Sequence, residues 1–160
     1  LFQGMASGHP SFGTMHADSV DTMVKRLETP PINLSPSLVE IMDVVVSMTS
    51  TKRGGKSIRR LKDVNEIISI GKDGGNVVNK PFIWNPVNDK YDYVTESDVF
   101  KKLIKQQGLS EGEIMQEWKN RTLLLIAMYN AGMFDFHEVQ NVIDAYYKSP
   151  KEILQKFGIR

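Results

Sequence analysis

Apolar positions along the chain fall into two textures. From Gly8 to about Val94 short apolar runs alternate with Gly, Pro and Asn, which predicts strands and short helices. From Glu96 onward the apolar residues recur at helical spacing. Asp18 can cap a helix over Ser19 to Leu27 that Thr29-Pro30-Pro31 ends. Ser35-Pro36 opens another, with Ser35 as N-cap and Leu38, Val39 and Met42 as its apolar positions. The β-branched run Val44-Val45-Val46 predicts a buried strand. Ile58 to Ile70 predicts a second extended segment, with Ile58, Arg60 and Lys62 on one face and Arg59, Leu61 and Asp63 on the other. Its alternation is imperfect, so a helix also fits. Phe82-Ile83-Trp84 and Tyr91-Asp92-Tyr93-Val94 read as a hairpin whose turn is supplied by the Asn and Pro residues between them.

The second half marks its helices with caps. Ser110 with Glu113, Asp135 with Glu138, and Ser149-Pro150 with Glu152 have capping-box spacing. A helix from Glu111 to about Ala131 is predicted to bury Ile114, Trp118, Leu125 and Met128 along one stripe. Its later part, Leu123 to Met128, is apolar nearly all round and is expected to lie beneath other elements. Glu117 and Arg121, four apart, suit an intrahelical ion pair. Tyr146 and Tyr147 read as packing residues. The chain shows no internal repeat, low-complexity tract or heptad series.

Composition narrows the function classes. The 160 residues include 41% hydrophobic positions, enough for a real core, and carry a formal charge of +1, too balanced to attract nucleic acid by field alone. With no cysteine there is neither disulfide nor thiolate metal chemistry. No apolar run approaches the roughly twenty residues that span a bilayer. Leu1-Phe2-Gln3-Gly4 before Met5 resembles the tail of a viral 3C-type protease site, so residues 1–5 are expected to be an expression-tag remnant, with native sequence from near Ala6.

The chemically suggestive stretch is SGHPSFGTMHADS, Ser7 to Ser19, which holds His9 and His16. With no cysteine and only His137 besides, the two imidazoles do not make a zinc site. No Gly-x-Ser-x-Gly nucleophile elbow occurs. KRGGKS, Lys52 to Ser57, matches the tail of a P-loop, but Ser50 stands where its first glycine belongs, and the residues that follow read as extended. It is expected to be an exposed basic turn. Lys52, Arg53, Lys56, Arg59 and Arg60 cluster there without the interleaved aromatics of a single-strand platform.

In order, SGHPSFGTMHADSVDTMVKRLETPPINLSPSLVEIMD resembles the histidine box and following helix of the type II and type IV secretion ATPases. IRRLKDVNEIISI, FIWNPVNDKY and EWKNRTLLLIAMYNAG are similar to the archaeal branch that drives the archaellum and type IV pili. The likeness covers essentially all of residues 8 to 150, and its most specific parts are the His9 to His16 spacing and the pair Arg59-Arg60 ahead of Val64-Asn65-Glu66-Ile67. Ser7 replaces the family's usual threonine.

That resemblance implies an α/β fold, the C-terminal portion of a RecA-like P-loop ATPase core with a mixed sheet and a β-hairpin. Residues 6–94 would be the partial core with its histidine box, and 95–160 a helical C-terminal subdomain. His9 and His16 would sense phosphate, with Gly8 and Thr14 near the nucleotide and Arg59 and Arg60 at a subunit interface or facing nucleotide. ATP and Mg²⁺ would serve the full-length parent, with no cofactor in this chain, which lacks Walker A and Walker B and would be inactive alone. The parent would be a cytoplasmic homo-hexamer held at the inner membrane face by a polytopic platform protein, with no nucleic acid partner. Two readings compete: a self-contained helical protein-interaction module without nucleotide chemistry, and a nucleic-acid binder acting through the basic loop.

Overall fold

A computed structural model describes residues 1–71 and 75–159 of the chain. The chain divides into two compact units, Leu1–Lys102 and Leu103–Arg160.

The first unit is built on one four-stranded sheet of order β1-β2-β3-β4, every pair antiparallel. The strands are β1 (Val44–Arg53), β2 (Lys56–Ser69), β3 (Val77–Asn85) and β4 (Lys90–Tyr93). Gly54 and Gly55, both at positive φ, close the β1–β2 hairpin, because a two-residue turn that follows the strand twist needs positive φ at both positions. Lys52 to Ser57 is therefore a hairpin turn between strands. Asn85 and Lys90 close the β3–β4 hairpin, as the sequence predicts.

This topology overturns the RecA-like expectation. A P-loop core needs parallel strands joined by helical crossovers, whereas here consecutive strands are neighbours in an antiparallel meander. The glycine-lysine-serine segment leads into β2 and not into a helix, so no phosphate loop is formed. The expected fold class, the kinship with secretion ATPases, and the function of a filament-assembly or secretion ATPase all rested on that core and are withdrawn with it.

Three helices precede the sheet: α1 (Phe2–Ala6), α2 (Val20–Glu28) and α3 (Pro36–Val39). Ser19, one residue beyond the predicted cap, accepts from the Thr22 amide and starts α2, which Thr29 ends. Val20, Met23, Val24 and Leu27 lie on one face at helical spacing and form the core with Val39 and Ile70. Val45, Ile67 and Val78 of the sheet pack against that core, so the sheet offers one face to α2. Pro81, which cannot donate to a ladder, lies in β3 where the register shifts against β2 between Val64 and Glu66.

Helix α4 (Asp98–Gln107) begins under a carboxylate from the sheet. Glu66 of β2 is 3% exposed. It accepts from the Asp98 amide at 2.7 Å and from the Ser97 hydroxyl, and Asn79 donates to it at 3.2 Å. A buried acid at a helix N-terminus satisfies amides that have no partner within the helix.

The second unit contains α5 (Glu111–Asn130), α6 (Phe136–Lys148) and α7 (Pro150–Lys156). Ser110 and Glu113 make the full capping box that the sequence predicts, and the Ser110 amide and hydroxyl hold the Glu113 carboxyl below its ordinary pKa. Asp135 caps α6 by accepting from the amides of His137 and Glu138. Ser149 starts α7 without a side-chain bond. Leu124, Met128 and Tyr146 are the buried centre, surrounded by Val139, Val142, Ile153, Leu154 and Phe157.

Candidate protein-interaction surface

The sequence-predicted site residues lie at the surface and are dispersed. Gly8 is at positive φ, and residues 9–17 have no regular secondary structure, with His9, Thr14 and His16 all exposed. His9 Nδ1 is 3.1 Å from the Ser7 hydroxyl, which also donates to the Gly4 carbonyl. The His16 carbonyl accepts from the Arg26 guanidinium. No hydrogen bond or ring contact among the described residues joins His9 to His16, and no group of three or more His, Asp or Glu there is placed to hold a metal ion.

Arg59 and Arg60 part company because they are neighbours on a strand and point to opposite faces. Arg59 is exposed. Arg60 forks onto Asp89 in the β3–β4 turn, with Nε to Oδ1 at 2.8 Å and a terminal nitrogen to Oδ2 at 2.9 Å. Trp84 Nε1 donates to the same carboxylate at 2.9 Å and Arg53 lies 3.0 Å away. Bonding to Arg60 first, then to Trp84, holds the Asp89 carboxyl far below the usual range. Asp89 itself sits at positive φ, which Asp tolerates better than most residues. This cluster ties the tips of two hairpins together.

The second unit is clamped by a polar network. Glu117 on α5 accepts from Arg121 at 2.7 Å and from the buried Tyr146 hydroxyl of α6 at 2.9 Å. The Arg121 guanidinium lies 5.3 Å from the centre of the Tyr147 ring. Burial, then the bond to Glu117, pushes the Tyr146 phenol above its ordinary pKa.

With α5 so anchored, its apolar arc is wider than the core it covers. One flank carries Ile114, Leu124 and Met128, all buried. The adjoining flank carries Met115, Leu125, Ile126 and Tyr129, of which Leu125 is 57% and Tyr129 70% exposed. Phe134 and Phe136, in and just after the α5–α6 connection, are exposed as well, at 69% and 71%. The Tyr129 and Phe134 rings meet edge to face with centroids 5.6 Å apart, which joins Phe134 to the flank. An open hollow of about 480 Å³ continues the same flank toward the start of α5, lined by Met115, Trp118, Lys119 and Thr122. The sequence reading places Leu125 in the core; the structure leaves it in solvent. The expectation that Leu123 to Met128 lies beneath other elements holds for Leu124 and Met128, which are buried, and fails for Leu125 and Ile126, which are exposed.

No protein-family profile matches the chain. Three proteins of Methanocaldococcus jannaschii are similar to it, each described only as uncharacterized. MJ0900 is 29% identical over 156 residues, which is 94% of this chain and 28% of that protein. MJ1287 is 29% identical over 126 residues, 78% of this chain and 47% of that protein. MJ0781 is 24% identical over 144 residues, 89% and 20% respectively. The chain thus spans less than half the length of the curated relatives it matches. No helix among its described residues is long and apolar enough to cross a membrane.

Proposed function

We propose that the chain is a protein-interaction module whose helical unit docks a protein partner on the open flank of α5. The observation that carries this reading is the pairing of a satisfied core on one side of α5 with Leu125, Ile126 and Tyr129 exposed beside it. Isolated exposed apolar residues are ordinary. A run of them on one helix flank, joined by two aromatics at its end, is the usual mark of a docking site. Tyr and Phe suit such a surface because they bury much area for few lost rotamers. The partner is expected to present an apolar segment, such as an amphipathic helix anchored at i, i+3, i+4 and i+7 spacing.

The test is co-purification of the full chain from its native cells, wild type against the double variant Leu125→Asp with Tyr129→Asp. A discrete partner recovered with the wild type and depleted at least ten-fold with the double variant is the expected result. Equal recovery, with thermal stability unchanged, places the interaction elsewhere.

A further inference from the structure

We propose that the outer edge of β1 pairs with β1 of a second copy of the chain, antiparallel and centred on Met48, to join two sheets into one. β1 is an edge strand ten residues long. Among the described residues, no backbone hydrogen bond outside the β1–β2 ladder reaches it. Natural edges are blunted by shortness, proline, bulges or inward charges. The opposite edge, β4, is only four residues long. β1 has no proline, and the register shift beside it falls where β2 carries Lys62 as an extra residue, so β1 keeps an unbroken alternation of burial along its first eight positions. Its open side chains at the start are apolar, with Val44, Val46 and Met48 at 40%, 49% and 65% exposure.

The strand is also complementary to itself. About a two-fold axis at Met48, Asp43 just before the strand faces Arg53 of the second copy, and the same pair recurs at the other end. Val46 then faces Ser50, Ser47 faces Thr49, and Met48 faces Met48. Asp43 and Arg53 have side chains 59% and 50% exposed; each already has a local ion pair, with Lys102 and Asp89 respectively, and the contact with the second copy would be shared with that pair. Shifting the centre by one residue in either direction along β1 opposes neither carboxylate to an arginine. Pairing places Val44, Val46 and Met48 of both copies on one face of the joined sheet, with Val44 opposite Lys52, Val46 opposite Ser50 and Met48 opposite Met48, because side chains two apart share a face. Charge sets the register and apolar area across the seam adds to the backbone bonds.

Cysteine is absent from the chain, so single introduced cysteines report the pairing directly. Residues directly opposite in an antiparallel pair bring their Cβ atoms to about 4.5–5.5 Å, near disulfide range. Under mild oxidation Met48→Cys is expected to form a disulfide dimer at least ten-fold faster than Val46→Cys or Ser50→Cys alone. A mixture of the Val46→Cys and Ser50→Cys chains is expected to cross-link to each other. Light scattering of the wild type should give twice the 18.1 kDa chain mass. Asp43→Arg should weaken the dimer at least ten-fold, and adding Arg53→Asp in the same chain should restore it. Circular dichroism confirms that each variant is folded. A monomer at 200 µM, or Met48→Cys cross-linking no faster than Val46→Cys, overturns the proposal.

Discussion

Leu124 and Leu125 are adjacent on α5 and opposite in environment: the first is 4% exposed in the core of the helical unit, the second 57% exposed beside it. The two residues are the same chemically, so their substitutions separate folding from docking. Leu124→Ala removes buried methyl groups and is expected to cost about 2–5 kcal/mol of unfolding free energy. Leu125→Ser is expected to change it by no more than about 0.5 kcal/mol. Urea denaturation of both variants measures the difference; a comparable loss for Leu125→Ser would mean that the outer flank is part of the core.

Asp89 links the hairpin tips through Arg60, Trp84 and Arg53, and its carboxyl is held below its ordinary pKa. A depressed carboxyl stabilises the fold at pH above its unfolded value of about 3.9 and loses that contribution as pH falls further. The melting temperature of the wild type should therefore drop between pH 5 and pH 2.5 more steeply than that of Asp89→Asn, which has lost the contribution at every pH. Parallel acid limbs would show that the carboxylate is not the group responsible.

The hairpins, the extended segment at 58–70 and the capping box at Ser110 were legible because each rests on local chemistry: turn glycines, alternation, paired cap residues. Two things were not. The strand direction depends on which strands pair, and a run such as Val44-Val45-Val46 reads alike in a parallel core and on an antiparallel edge; the likeness to secretion ATPases filled that gap with a parallel core. Pro81 hid the first half of β3, because a proline that sits at a register shift looks in sequence like a strand boundary. As for the surface, the all-round apolarity of Leu123 to Met128 reads in sequence as burial under other elements, whereas Leu125 and Ile126 are exposed. Sequence shows how much of a helix needs covering, not by what.

Glu66 is expected to be the costliest polar residue to truncate in the first unit. It receives the Ser97 hydroxyl, the Asp98 amide and Asn79 while almost fully buried. Glu66→Ala leaves the Ser97 hydroxyl and the Asp98 amide without that acceptor, while Asn79 keeps the Glu96 carbonyl and the Asp98 carboxylate, and it is expected to destabilise the chain by about 1–3 kcal/mol. Glu66→Gln keeps one accepting oxygen and should lose less. Chemical denaturation orders the two, and the reverse order would contradict the capping role.

Tyr146 carries the alkaline counterpart. Burial and the bond to Glu117 raise its pKa, so its contribution is complete below about pH 10 and falls as pH rises through the folded value. Removing the hydroxyl with Tyr146→Phe is expected to cost about 0.5–1.5 kcal/mol at pH 8. It should also remove a phenol that titrates above the ordinary tyrosine range from the ultraviolet absorbance titration. An unchanged titration would place the late phenol at another tyrosine.

The most direct measurement is site-specific photocross-linking of the full chain in its native cells, with benzoylphenylalanine at Leu125 and Tyr129 and at the exposed polar controls Asp144 and Lys151. A single discrete protein cross-linked from the first two positions and not from the controls is the result expected of a docking flank on α5. Equal labelling from all four positions, or none from Leu125 and Tyr129, would contradict it.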